Sequence, residues 1–238
     1  MNFDPQININ LAKSQIYSMA ELVKKAVETS IVSLVESKSN GSQHVIDDDQ
    51  LVNAFEIEID TIIYHILAIV QLPPESLRYV LSIQKISTML ERIGDHAVNI
   101  TESALSLAKK TDGQALFDLP KMAALTEKVL HDSLKSFFKN DIVLAQNVLT
   151  RDEEIDGLNI LITSRVKEKV LLGSMTFERA MEIIRVCKNF ERIADLASNI
   201  AEEASFSISG QIVKHNAGVQ PDFNSQQPIS NTSLNNAQ

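Results

Sequence analysis

The chain has 238 residues, 44% of them hydrophobic, and its 22 basic against 31 acidic side chains give a formal net charge of -9. That length suits one large domain or two small ones, each able to bury a core. The acidic balance argues against nucleic acid as the main partner, because affinity for a phosphate backbone is carried largely by Lys and Arg.

Only seven glycines and six prolines occur, so long uninterrupted helices are easy to build. Residues 1–10 are polar and read as a flexible, frayed start. From Leu11 to about Ser37 the apolar residues Ile16, Met19, Val23, Val27, Ile31 and Leu34 recur at threes and fours, the spacing of a helix. Gly41 is the expected left-handed stop. A second helix is predicted from about Gln43 to Gln71. Its β-branched residues (Ile57, Ile59, Ile62, Ile63, Ile66) would suit strands, but its length and lack of turn residues decide for helix. Pro73 and Pro74 break it, with Pro74 suited to the first turn of a third helix that runs to about Lys110. The stretch 111–114, with Gly113, is the midpoint and the expected domain boundary.

The second half repeats the scheme. One helix is predicted from Asp118, as N-cap, to Lys139, and one from Asn140–Asp141 to Leu172. After a turn at Gly173, a last helix runs from about Met175 to Ser209. From Gly210 on, Asn, Gln, Ser and Pro dominate, a composition that cannot bury enough surface to offset ordering and reads as a disordered tail. The expected fold is all-α. Two tandem three-helix bundles, 11–112 and 113–209, are flanked by 1–10 and 210–238.

The single cysteine, Cys187, excludes an intrachain disulfide and fits a reducing compartment. Inside the helical pattern it reads as a small buried hydrophobe. No secretory leader is recognisable at the start. The most apolar run, 62–72, is interrupted by His65 and is too short to span a bilayer. A soluble cytoplasmic protein is expected.

One stretch organises the chain. Residues 91–104 return as 191–204 with nine of fourteen positions identical, among them Glu91, Arg92, Ile93, Asp95, Asn99 and Glu102. On a helix Glu91, Asp95, Asn99 and Glu102 share one face, beside an apolar stripe of Ile93, Ala97, Ile100 and Ala104. The preceding helix of each half has its own acidic pair at the same spacing, Glu56 with Asp60 and Asp152 with Asp156. Counting residues back from each hairpin turn puts Glu56 level with Glu91, and Asp156 level with Glu191. Each bundle is therefore expected to gather four carboxylates: Glu56, Asp60, Glu91 and Asp95 in the first, Asp152, Asp156, Glu191 and Asp195 in the second.

Like charges so placed repel. They persist if they splay into water, share protons, pair with Arg92 and Arg192, or hold a metal ion. An all-oxygen set suits Mg²⁺, Ca²⁺, Mn²⁺ or ferric iron rather than a thiolate-seeking metal. Asn99 and Asn199 are in place to orient ligands, or equally to serve as buried hydrogen-bonding residues. Three readings follow: a metal-dependent enzyme, a metal-binding non-enzyme, and a helical scaffold with solvated stripes. A ferritin-like di-iron site is the weaker enzyme reading, since no histidine has a glutamate three residues before it. Neither a phosphate-binding glycine loop nor a glycine-flanked serine elbow is present.

The doubled Glu-Arg-Ile-x-Asp at 91–95 and 191–195, with residues 77–79, 85–87 and 210–215, resembles the PhoU family of phosphate-signalling regulators over about residues 10–215. The resemblance implies two three-helix bundles and no catalysis. It implies metal ions (iron, manganese, magnesium or zinc) on Glu56, Asp60, Glu91, Asp95, Asp152, Asp156, Glu191 and Asp195. Leu196 departs from the histidine that many relatives carry, and the polar tail after His215 has no counterpart. The implied role is an adaptor between the ATPase subunit of a phosphate ABC transporter and a membrane sensor histidine kinase. Such a protein reaches the membrane only through its partners; homodimer formation is an expectation of the same kind.

Overall fold

The computed structural model describes residues 5–36, 42–109 and 118–211, apart from the side chain of Asp152. Among them are seven helices: α1 (Pro5–Glu36), α2 (Ser42–Ile69), α3 (Pro74–Ala108), α4 (Leu119–Lys139), α5 (Ile142–Leu149), α6 (Asp152–Leu171) and α7 (Phe177–Ser209). No strand occurs among the described residues. The predicted stop at Gly41, the boundary at 111–114 and the tail from 212 on lie outside them.

Two expectations need correction. The chain is helical already from Pro5, because Ile9 joins Ala12, Ile16 and Met19 in the buried stripe and gives the polar start a face to pack. The single rod expected from Asn140 to Leu172 is two helices, α5 and α6. Asp141 caps α5 by accepting from the Leu144 amide at 2.9 Å. The chain then breaks at Thr150–Arg151, where the Arg151 guanidinium bonds Asp132 of α4 at 2.6 Å and draws the corner onto the bundle.

Elsewhere the punctuation follows local chemistry. Pro74 opens α3 at its first turn. Asn140 ends α4 and Gly210 ends α7, both left-handed, with φ of 53° and 71°. Thr176 caps α7, its hydroxyl accepting from the Arg179 amide. Asp118 precedes α4 but makes no capping bond; its carboxylate pairs with Arg165 of α6 instead.

The first three helices pack on one another, and α4 to α7 do likewise. The two groups share one core: α3 packs as extensively on α7 as on α1. Ile93 and Ile193, Ala97 and Ala197, Ile100 and Ile200 are all completely buried. A second joint is aromatic, with Tyr17 of α1 edge-on to Phe138 of α4 and Tyr79 of α3 stacked on Phe137 at 5.6 Å. Burial pushes the Tyr79 hydroxyl up to about 12. Cys187 is fully buried and likewise raised to about 12, which leaves it a packing residue. Among the described residues no helix is long and apolar enough to cross a membrane.

Candidate functional site

A helix puts residues four apart on one face, so α3 carries two parallel polar rows one residue out of step. Glu91 and Asp95 turn toward α2; His96, one turn beyond Arg92, turns toward α7. The contacts settle this directly. Glu91 lies in the field of Asp95, Glu56 and Asp49, whereas His96 bonds Asn189 of α7 at 2.9 Å.

The acidic row meets an acidic partner. Burial first, then the charges of Asp95, Glu56 and Asp49, lifts the Glu91 carboxyl above its ordinary range, with Arg92 pulling the other way. Asp49 is raised by burial and then by Asp95. Its Oδ1 is buried with no hydrogen-bond partner. Glu56 is held by the Thr88 hydroxyl, which donates to it at 2.8 Å. The gathered set in the first half is therefore Asp49, Glu56, Glu91 and Asp95. Asp60, expected among them, accepts from Gln84 at 3.2 Å instead, two turns along α3 from Glu91. Asp49 was not singled out from the sequence, although it lies seven residues, two turns, before Glu56 on the same helix face.

In the second half the acid facing the partner helix is already neutralised. The Asn159 side chain donates to Glu191 Oε2 at 2.8 Å, and Lys188 reaches the same oxygen. Asn159, not Asp156, is the α6 residue opposite Glu191, so the level expected by counting from the turn is off by about one turn. Asp156 is exposed, as are Asp195 and Asn199. Asp152 is the first residue of α6; its side chain lies outside the described residues.

The register behind this is visible in the core. Val52, Ile59 and Ile63 of α2 are buried as Ile155, Ile162 and Val166 are, an offset of 103 positions, while α3 and α7 repeat at 100. The 103-residue offset puts Asn159 where α2 has Glu56, and Thr163 where it has Asp60. Asp152 takes the place of Asp49.

The basic row of α3 serves the seam with α7. The Asn189 amide nitrogen donates to the Arg185 carbonyl at 2.8 Å, so its oxygen faces the ring and His96 Nδ1–H is the donor. Burial lowers the His96 pKa, the Asn189 bond opposes this, and Arg192 and Arg92 lower it further while Asp95 raises it. Asn99 does not orient an acidic side chain: it donates to the Asp95 backbone carbonyl and accepts from Arg185, which also bonds Glu102 at 2.9 Å. Arg92 and Arg192 are both exposed.

Could the acidic set take a cation? In the first half four carboxylates converge, one with a buried oxygen lacking any partner, and hard oxygen donors of that kind fit a hard cation. The oxygens are not drawn to a single point: among the described residues no three His, Cys, Asp or Glu stand ready to hold an ion. In the second half Glu191 Oε2 already has two donors, and Asn159 supplies no charge. Its described residues do not make an equivalent site.

Comparison with known proteins agrees with this doubled architecture. The family described as "PhoU domain" matches twice, over residues 16–104 and 119–204. The chain is 31% identical over 207 residues to the phosphate-specific transport system accessory protein PhoU homolog 1 of Thermotoga maritima, covering 87% of this chain and 89% of that protein. It is 28% identical over 210 residues to the phosphate-specific transport system accessory protein PhoU of Escherichia coli, covering 88% and 87%. The crystal structure of PhoU from Pseudomonas aeruginosa superposes with a TM-score of 0.84 at 26% identity, over 87% of this chain and all of that one.

Proposed function

The chain belongs to the PhoU domain family, and from that premise we propose that it regulates phosphate uptake as a non-enzymatic adaptor. The observation that carries the reading is the family match across both repeats, together with relatives named as accessory proteins of a phosphate-specific transport system. On this reading the chain docks on the ATPase subunit of a phosphate ABC transporter and on a membrane sensor histidine kinase.

The geometry suggests which face does the work. Asp49, Glu56, Glu91 and Asp95 make a negative patch between α2 and α3 that Arg92 offsets only in part. A patch of this kind is relieved by a cationic surface on a partner or by a bound metal ion. Iron, manganese or magnesium would supply charge and a bridge there, with Asp49, Glu56, Glu91 and Asp95 as the residues to hold it. Thr88 fixes one carboxylate in position, and the seam with α7 keeps α3 rigid behind the others.

The test replaces Glu91 and Asp95 together by alanine and measures binding to the purified ATPase subunit. The expected result is loss of affinity by about tenfold or more, with the helical circular dichroism unchanged. Unaltered binding by the folded variant would overturn the docking role. Elemental analysis of chelator-free protein, with and without those substitutions, addresses the ion separately.

A further inference from the structure

The α3–α7 seam has a register that can be read from its polar contacts. Lys85 pairs with Glu203 at 2.7 Å, His96 with Asn189 at 2.9 Å, and Arg185 with Asn99 and Glu102 at 2.7 and 2.9 Å. These fix the two helices as antiparallel. Because α7 repeats α3 at 100 positions, a pseudo-two-fold axis crosses the seam beside Ile93 and Ile193. Two antiparallel helices can be exchanged only by an axis perpendicular to the plane they share, and such an axis keeps each side chain on the same face of the pair. Arg92 and Arg192 are each other's copies and lie next to that axis. They therefore stand on one face, at one level, from opposite helices.

Among the described residues neither guanidinium makes a hydrogen bond or an ion pair. Glu191, beside Arg192, is taken by Lys188 and Asn159, while Glu91 turns toward α2 and remains in the field of Arg92. His96 feels the field of both arginines, which puts both of them near its ring. In a chain of net charge -9, two exposed guanidiniums at one level on one face of the seam form a pair of cationic donors.

We propose that Arg92 and Arg192 form a clamp for one tetrahedral oxyanion on the pseudo-two-fold axis, with free inorganic phosphate as its ligand. Each planar guanidinium offers two parallel donors, and a tetrahedral anion has oxygens enough to accept from both at once. The internal duplication supplies the symmetry: one arginine per repeat, one ligand per chain. The site deepens the phosphate-transport reading and rests on it only for the choice of phosphate over other oxyanions. It is distinct from the α2–α3 acidic patch, since the two rows on α3 face different neighbours, but Arg92 lies in the field of Glu91.

The experiment is calorimetric titration of the full chain with inorganic phosphate at low ionic strength in a non-phosphate buffer. The variants are Arg92→Gln, Arg192→Gln, the double variant, and Glu91→Ala with Asp95→Ala. The expected result is one phosphate per chain, affinity reduced roughly tenfold or more by each arginine change, and no measurable binding by the double variant. Both arginines are exposed, so the variants should keep the parent melting temperature, which checks that they fold. Binding retained in the double variant would overturn the clamp, as would the absence of saturable binding in the parent. Sulfate binding as tightly as phosphate would overturn phosphate as the selected ligand. The Glu91/Asp95 variant should bind phosphate at least as tightly as the parent, since it removes negative charge near Arg92. It should do so whether or not it still binds the ATPase subunit, so this proposal and the docking role can fail independently.

Discussion

The two halves of this molecule keep one scaffold and treat the same glutamate in opposite ways. Glu91 sits among Asp95, Glu56 and Asp49, and its carboxyl is pushed toward the protonated form. Glu191, its copy, accepts from Asn159 and Lys188. Two changes account for the difference: Asn159 stands where the first half has Glu56, and Lys188 where it has Thr88. The internal repeat has left Glu91 among like charges and Glu191 with two donors. The charge kept in the first half is only partly offset, by Arg92 beside Glu91, which is why the docking face is proposed there.

The comparison breaks most severely if the halves do not share a core. Ile93 and Ile193 are both fully buried at the centre of the seam. Replacing either by alanine should cost about 2–4 kcal/mol, the usual range for an aliphatic residue cut down in a packed interior. Both variants should show one calorimetric transition, displaced downward by a similar amount. Two endotherms, with Ile93→Ala moving only one, would mean that the bundles unfold separately and that the seam is a contact between domains.

A smaller effect sharpens the electrostatic contrast. The raised carboxyl of Glu91 means that the folded state holds its proton more tightly than the unfolded chain does. Stability therefore falls as pH rises from the ordinary glutamate range through the raised folded value, and the ionised form at neutral pH is a net cost. Glu91→Gln should stabilise at pH 7, by less than about 1 kcal/mol because the group is only half-buried. That gain should vanish on acidification below the ordinary range. Glu191→Gln should act the other way at pH 7, losing about 0.5–1.5 kcal/mol with the charge that Lys188 and Asn159 address. At roughly 2–4 °C per kcal/mol for a chain of this size, thermal melts at two pH values separate the signs. A shift in the same direction for both variants would remove the asymmetry.

Much of this was legible in the sequence, for identifiable reasons. The repeat, the helical rods and the stops at Pro73–Pro74, Gly173 and Gly210 follow from periodicity and backbone chemistry, and the structure has them. The pairing of Glu91 with Glu56 was also within reach, since both lie about equally far from the proline turn. The same counting misplaced Asp156, because it centred the turn on Gly173, whereas the bonded pair Asn159 and Glu191 is centred on Met175. The buried residues of α6 sit three positions further along relative to α7 than the count allows. Only the burial pattern (Ile155, Ile162 and Val166 answering Val52, Ile59 and Ile63) reveals that slip. The break at Thr150–Arg151 carries no glycine or proline. Its one sequence signal is the acidic run 152–154, suited to the first turn of a new helix. Asp49 was hidden in a run of three aspartates, where nothing but its distance of two turns from Glu56 marks it out. The seam contacts of Arg185, Lys85 and Asn189 required knowing that α3 and α7 are neighbours.

The smallest predicted effect tests how closely the acidic half has been left open. Gly94 is followed one hundred positions later by Ala194, which is completely buried. A methyl group built on Gly94 would meet Val52 Cγ1 at 3.6 Å and Asp49 Oδ1 at 3.7 Å, both ordinary contact distances. Two terms then compete. Alanine is favoured over glycine within a helix by about 1 kcal/mol, largely through the entropy of the unfolded chain. Against this, the methyl adds apolar contact to the Asp49 Oδ1 that is already buried without a hydrogen-bond partner. The first term is the larger because the methyl meets Asp49 at an ordinary contact distance, so Gly94→Ala should stabilise by roughly 0.5 kcal/mol. Adding Asp49→Asn should recover the full helical gain, since a neutral amide at that position carries no charge to desolvate. If Gly94→Ala is instead destabilising and Asp49→Asn reverses it, the glycine is there to limit desolvation of the Asp49 charge. If both variants are destabilised alike, the constraint is steric, and the contact with Val52 is tighter than these distances allow.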